Sequence, residues 1–89
     1  MSLHRALEAQ DYPCDYPFKL ICTPQAVEEV RARVLNTLGP GSLIKDVHQR
    51  ASRGGRYIAL TVTIEAIGAE QIESVYAALA DVPGIVTSL

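Results

Sequence analysis

Residues 56–66 read Arg-Tyr-Ile-Ala-Leu-Thr-Val-Thr-Ile-Glu-Ala, and this stretch decides the fold. From Ile58 to Ala66 every second residue is apolar, while the residues between them are small, hydroxylic or charged. Because side chains on a strand point alternately to the two faces of a sheet, this period of two predicts a half-buried β-strand. It is the longest strand pattern in the chain, so we expect it in the interior of a sheet.

A shorter strand and an amphipathic helix are predicted ahead of it. Residues 16–22 alternate, with Phe18, Leu20 and Cys22 on one face. Thr23-Pro24 is a typical helix start, because threonine can cap free amides and proline needs no partner for a missing one. Gly39-Pro40-Gly41 is typical of a helix end. Between them, apolar residues at spacings of three and four form one stripe that we expect to be buried: Val27, Val30, Val34 and Leu38.

A second strand and a hairpin turn lead into the long strand. Leu43–Ala51 is predicted as a strand with Leu43 and Val47 facing inward. Lys45 and Gln49 share that parity, which a central strand would not tolerate, so an edge strand is expected. The turn Ser52-Arg53-Gly54-Gly55 contains glycines that can adopt positive φ, and it predicts a hairpin with the long strand.

The remaining chain predicts a helix over residues 69–80 and a short last strand over Ile85–Leu89. The order strand, helix, strand, strand, helix, strand is typical of a ferredoxin-like α+β sandwich. We expect a four-stranded antiparallel sheet in the order 4-1-3-2 with both helices on one face. Residues 1–15 are predicted to form an N-terminal arm, and residues 16–89 the domain.

Composition limits the function less than it limits the fold. The chain has 89 residues, a net charge of −2 and two cysteines, which indicates one small domain. No run of 18 apolar residues and no signal-like segment occurs, so a cytoplasmic location without membrane association is expected. Cys14 and Cys22 lie too far apart on an extended strand for a disulfide. No cofactor is expected.

Three short motifs resemble those of the YbeD-like family of small bacterial proteins of unknown function. Residues 12–21 read Tyr-Pro-Cys-Asp-Tyr-Pro-Phe-Lys-Leu-Ile, and residues 70–79 read Glu-Gln-Ile-Glu-x-Val-Tyr-x-x-Leu. Between these motifs stands Ser52-x-Gly54-x-x-Tyr57, followed by Thr-Val-Thr-Ile at 61–64. The resemblance covers residues 12–89 and implies a fold similar to ACT domains, which bind amino acids and regulate enzymes. It implies a regulatory role.

One feature departs from amino-acid-binding ACT domains. Those domains commonly have a glycine in the turn after the first strand, where a ligand approaches backbone amides. Here that turn is Cys22-Thr23-Pro24-Gln25, which contains no glycine and lacks one amide. Amino-acid binding at this turn is therefore disfavoured.

The strongest candidate site is a cationic hairpin in an acidic protein. Its cations and turn amides suit an anionic metabolite, a phosphate or an acidic protein surface. The same charges also occur on solvated hairpins, where they block edge pairing. The candidate residues are Lys45, His48, Arg50, Arg53, Gly54, Gly55, Arg56 and Tyr57.

Nucleic-acid binding through this hairpin is the alternative. RNA-recognition modules share the predicted strand order, and residues 55–60 faintly resemble their third-strand motif. Only Tyr57 could stack on a base, because Ala59, Lys19 and Ile21 occupy the other open-face positions.

Metal binding and catalysis have weaker support. Gln25 stands where a copper chaperone of this topology would place a second thiol after Cys22. His4 and His48 have no third ligand in view for zinc. No nucleophile with a base and no acid pair is visible, so we expect a non-enzymatic regulatory or binding module.

The open face of the sheet is neither strongly polar nor strongly apolar, so a partner could bury it. It contains Ile21, Ala59, Thr61 and Thr63. A homodimer through this face or through a strand edge is expected, or alternatively cover by the arm with Leu3 and Leu7. A partner enzyme or a small anionic metabolite is the other expected partner.

Overall fold

The computed structural model describes residues 3–40 and 43–88, which form three α-helices and four strands. Two single 3₁₀ turns, Pro24–Ala26 and Arg53–Gly55, interrupt the connections. No helix in these residues is long and apolar enough to cross a membrane. The elements are α1 Leu3–Glu8, β1 Cys14–Cys22, α2 Val27–Leu38, β2 Ile44–Ala51, β3 Ile58–Ala66, α3 Ala69–Leu79 and β4 Ile85–Ser88.

The strands form one antiparallel sheet in the order β2-β3-β1-β4. This is the predicted order 4-1-3-2 read from the other edge, and the ferredoxin-like α+β fold is confirmed. β3 lies inside the sheet between β1 and β2, in agreement with its alternation. Phe18 pairs with Val62 and Leu20 with Leu60, so the apolar faces of β1 and β3 coincide.

The core lies between the helices and one face of the sheet. The predicted α2 stripe is buried, and so are Ile72, Val75 and Leu79 of α3. These side chains pack in one cluster with Phe18, Leu20 and the inward residues of β3. Each buried side chain of this size stabilises the fold by roughly 1.5 to 3 kcal/mol. The core therefore accounts for these stripes without a functional role.

The N-terminal segment contributes to this core. Leu7 of α1 is 1% exposed and belongs to the buried cluster, and the Tyr12 hydroxyl donates a hydrogen bond of 2.7 Å to its carbonyl. β1 also begins at Cys14, two residues before the expected Tyr16. Leu7 therefore does not cover the open sheet face, and the side chain of Leu3 lies outside the described part. The division at residue 15 stays a prediction.

A β-bulge in the edge strand β2 changes which residues face the core. Ile44 pairs with Ile64 and Asp46 with Thr63, so Lys45 is an extra residue without a partner on β3. The prediction that Leu43 faces inward is wrong, because Leu43 is 73% exposed. Ile44 packs against the core in its place, together with Val47.

The two ends of α2 agree with the sequence to different degrees. Gly39 has φ +74° and its amide donates to the Leu35 carbonyl, which confirms the predicted stop. At the start, Pro24–Ala26 form a 3₁₀ turn and α2 begins only at Val27. The Thr23 hydroxyl makes no capping hydrogen bond there. Its backbone amide instead donates to the carbonyl of Gly84 at 2.9 Å.

Candidate functional site

The β2–β3 turn is held by hydrogen bonds among its own residues. The Ser52 amide donates to the Tyr57 carbonyl at 2.8 Å, and the Tyr57 amide donates to the Ser52 hydroxyl at 3.0 Å. Gly54 and Gly55 have φ values of +82° and +73°, which glycine adopts without strain. The Gly55 amide donates to the Ser52 carbonyl and is therefore occupied within the turn rather than available to a ligand.

The predicted cations separate into two groups. Lys45 lies at the opposite end of β2 from the turn, where its Nζ donates to Asp15 Oδ1 at 2.9 Å. This hydrogen bond raises the pKa of the Lys45 ammonium above its ordinary value. Arg53 and Arg56 are exposed at the turn. The structure therefore brings Arg50, Arg53 and Arg56 to one end of the sheet and leaves Lys45 at the other.

Arg50 and His48 project from the open face, which is the side of the sheet away from the helices. Arg50 pairs with Ala59 and His48 with Thr61, both on the outward parity of β3. No ion pair or hydrogen bond engages the Arg50 guanidinium within residues 3–40 and 43–88. Its charge is therefore available to a ligand.

A cleft of about 330 Å³ lies on the open face beside the turn. Its volume falls near the lower end of the roughly 300 to 1,000 Å³ typical of ligand sites. Ala59 leaves room between the larger side chains of Ile21 and Tyr57 because it ends at Cβ. We call this the hairpin cleft, and its lining residues are Ile21, Arg50, Ala51, Ser52, Tyr57 and Ala59.

The lining of the hairpin cleft is mainly apolar with polar groups at few points. Arg50 supplies a guanidinium, and Tyr57 supplies a half-buried ring with a hydroxyl. The Ser52 oxygen already accepts from the Tyr57 amide, so its own O–H remains able to donate. This arrangement can bind a small molecule that has an apolar part and a negatively charged group.

The sequence predicts part of this cleft. Arg50 and Tyr57 are among the candidate site residues, while Ile21 and Ala59 are predicted on the open face. The concavity itself depends on the register that sets Ile21 beside Ala59, and on Ala51 and Ser52 at the end of β2. One sequence feature indicates where the cleft lies. Among the outward positions 59, 61, 63 and 65, only Ala59 has neither a hydroxyl nor a charge.

The turn after β1 is closed by the connection between α3 and β4. The Thr23 amide donates to the Gly84 carbonyl, and the Thr23 carbonyl accepts from the Ala26 amide. A Cβ on Gly84 would lie 2.5 Å from the Thr23 hydroxyl, so the two segments are in close contact. With Pro24 lacking an amide, this turn is poorly suited to the amino-acid binding of ACT domains.

Charge is graded along the open face. Cross-strand pairing arranges its side chains in four rows from the turn: Arg50–Ala59–Ile21, His48–Thr61–Lys19, Asp46–Thr63–Pro17 and Glu65–Asp15. The two rows nearest the turn contain two cations, Arg50 and Lys19. The two far rows contain three carboxylates, and Lys45 reaches over β3 to one of them, which leaves a net charge of −2. One end of the face is basic and the other acidic.

The aromatic rings leave little surface on which bases could stack. Tyr16, Phe18 and Tyr76 pack together on the helix side, with ring centroids 4.9 to 6.3 Å apart. Tyr12 hydrogen-bonds to the backbone of α1. Tyr57 is therefore the one tyrosine or phenylalanine ring on the open face, where His48 is the other aromatic side chain, and this small aromatic surface weakens the nucleic-acid alternative.

The cysteines and histidines form no metal centre within the described side chains. No group of three potential ligands occurs there. Cys14 and Cys22 are unpaired at opposite ends of β1. Burial raises the pKa of the Cys22 thiol, which suits a packing role better than metal or redox chemistry.

Solved structures contain the same fold. The C-terminal domain of the MgtC protein from Mycobacterium tuberculosis superposes with a TM-score of 0.71. The match covers 91% of this chain and 89% of that domain at 22% sequence identity. At this identity the likeness shows the fold alone.

Sequence relatives come from several bacteria. A UPF0250 protein of Nitrosomonas europaea is 36% identical over 74 residues, which cover 82% of this chain and 85% of the relative. A UPF0250 protein of Bordetella pertussis is 37% identical over 71 residues, covering 78% and 77%. Neither name states an enzymatic activity. Residues 8–89 match the family described as "Protein of unknown function (DUF493)", so the chain belongs to this UPF0250 (YbeD-like) family.

Proposed function

We propose that the chain is a non-enzymatic, ACT-like regulatory module that binds a small anion with an apolar body in the hairpin cleft. The observation that carries this proposal is an unpaired guanidinium beside an apolar concavity. Arg50 lines the cleft without a charge partner among the described residues, and Ile21, Tyr57 and Ala59 line it with apolar surface.

The electrostatics of the turn favour a negatively charged ligand. Arg53 and Arg56 lie at the adjacent turn and add to the positive potential around Arg50. The nearest carboxylate on the open face of β2 is Asp46, four residues along the strand and about 13 Å away. Charge-assisted hydrogen bonds from a guanidinium fork are well suited to a carboxylate or a phosphate.

The size of the cleft restricts the ligand to a small molecule. A volume of about 330 Å³ is near the lower end of the roughly 300 to 1,000 Å³ range of ligand pockets. This holds a carboxylate on a short branched or aromatic body rather than a nucleotide. A free anion is therefore a better fit than an acidic protein surface, which would cover the cleft without filling it.

The lining supports binding rather than catalysis. It contains no histidine, carboxylate or lysine that could act as a general base toward the Ser52 hydroxyl. Ser52 is also engaged as an acceptor from the Tyr57 amide. Regulation is the use to which ACT-like modules put such binding, and the cytoplasmic location stays a prediction.

Nuclear magnetic resonance titration with benzoate, 3-phenylpropionate and isovalerate tests this proposal. We expect amide shifts to centre on Ile21, Tyr57 and Ala59, and the corresponding neutral amides to bind at least tenfold more weakly. Arg50→Gln keeps much of the side-chain stem and should weaken binding of the best carboxylate by about tenfold. Arg31→Gln, on the exposed surface of α2, is the matched control and should not change it.

Two results would contradict the proposal. One is the absence of shifts with all three acids at millimolar concentration, and the other is equal binding by wild type and Arg50→Gln. Salt-sensitive binding of single-stranded RNA that Arg53→Glu abolishes would favour the nucleic-acid alternative instead.

A further inference from the structure

We infer that the open face is a self-complementary interface on which a second copy of this chain packs with its strands antiparallel. In this arrangement the basic end of each copy lies over the acidic end of the other. The observation behind it is the charge grading of the four rows, which is independent of the anion proposed for the hairpin cleft.

A two-fold axis between the second and third rows matches every charged row with its opposite. Rows are two residues apart, or about 6.8 Å, so the four span about 20 Å. The axis exchanges the first row with the fourth and the second with the third. Because this axis runs across the strands, each strand lies over its own counterpart in the other copy. Arg50 on β2 then lies one strand, about 4.8 Å, to the side of Glu65 on β3 of the other copy, an offset that its long side chain can span. An interface with this symmetry repeats each favourable contact twice.

The centre of the face allows close approach. Around the axis lie Thr61, Thr63 and Pro17, which are small or flat and carry no charge. Sheets that pack face to face lie about 10 Å apart and keep their strand directions within about 30°. The aligned geometry preserves the charge matching, whereas crossed sheets would lose it.

The strand edges are less suitable for self-association. β2 presents a bulge at Lys45 and a series of charged residues, two devices that prevent edge pairing. The opposite edge, β4, has only four residues. Of the two routes to a homodimer that the sequence leaves open, the structure therefore favours the face.

The expected dimer is weak. Three strands about 4.8 Å apart and 20 Å long, with the four residues of β4 beside them, give a footprint of about 350 Å² per copy, less than half that of a standard stable interface. We expect a dissociation constant in the high micromolar range at low salt. Because exposed charges are screened, it should increase several-fold between about 50 and 500 mM NaCl.

Charge exchange between two variants tests the interface. Arg50→Glu and Glu65→Arg each bring like charges near one another twice in a homodimer, so each variant alone should associate at least tenfold more weakly. In an equimolar mixture, position 50 of each variant lies near position 65 of the other with the opposite charge, so both contacts are attractive. Sedimentation equilibrium should therefore show that the mixture recovers association.

Folding and nonspecific charge effects are controlled separately. Amide spectra establish that each variant folds. Arg31→Glu makes the same charge change on the helix side and should leave association unchanged. The inference is overturned if wild type stays monomeric at about 1 mM in low salt, or if the two open-face variants associate no better mixed than alone.

Discussion

Lys45 and Arg50 are five residues apart on one strand, yet their charges have different surroundings. Lys45 is bonded to Asp15 and its charge is locally compensated. Arg50 has no such partner in the described residues and lines the hairpin cleft. Both residues are cationic, so the neighbouring side chains in the fold decide which of the two can bind a ligand.

Gly84 shows how a single backbone position closes the turn after β1. Its φ of +93° and its contact with Thr23 both exclude a side chain. We predict that Gly84→Ala lowers the free energy of unfolding by about 2 to 3 kcal/mol, measured by urea denaturation.

Gly39→Ala separates the two effects at Gly84. Gly39 also has positive φ, at +74°, but no atom of a neighbouring segment lies within 4 Å of the point that an added Cβ would occupy. This control should lose only about 1 kcal/mol. Equal losses in both variants would show that the contact with Thr23 contributes nothing.

At the scale of elements, Arg33 joins α2 to the end of α3. Its guanidinium donates to Glu29 on its own helix at 2.9 Å, to the Ala78 carbonyl at 3.0 Å and to Asp81 at 2.7 Å. The bond from Arg33 lowers the pKa of Asp81 below its ordinary value. The two helices are therefore linked at the surface as well as through their buried stripes.

This link predicts a pH dependence of stability. A carboxyl whose pKa is lowered on folding stabilises the protein fully above its unfolded pKa, about 3.9, and loses that contribution as pH falls through the folded value. We expect Asp81→Asn to lower the melting temperature at about pH 6. The difference from wild type should shrink steadily below about pH 4.

Calorimetry between about pH 2 and 6 measures this difference, and Asp11→Asn is a control at another exposed aspartate. A difference between wild type and Asp81→Asn that does not change with pH would mean that the charge of Asp81 is not responsible.

The elements also show what the sequence can predict. The alternation in β3, the stripe of α2, the helix after β3 and the stop at Gly39 follow from local patterns, and the structure confirms each prediction. The bulge at Lys45 is not local, because it depends on how β2 aligns with β3, and it exchanges Leu43 for Ile44 on the inward side. The hairpin cleft needs the same long-range information, since β1 supplies Ile21 to it.

At the scale of the whole molecule, the two proposals share one group. The guanidinium of Arg50 would bind a ligand anion in the hairpin cleft and would reach toward Glu65 of the other copy in the dimer. We therefore predict that a carboxylate that binds the cleft dissociates the dimer. Sedimentation equilibrium with and without saturating ligand should show a several-fold weaker association, and the neutral amide should have no effect. Ligand-bound dimers as stable as the free ones would contradict a shared group.

Because both processes use Arg50, anion binding and self-association oppose each other. By linkage, the factor by which the anion weakens self-association is the factor by which self-association weakens anion binding. A cell that accumulates more of the protein would then need more of the anion to occupy each copy. The fraction of ligand-bound module would then depend on the concentration of the ligand relative to the concentration of the protein, and not on the ligand concentration alone.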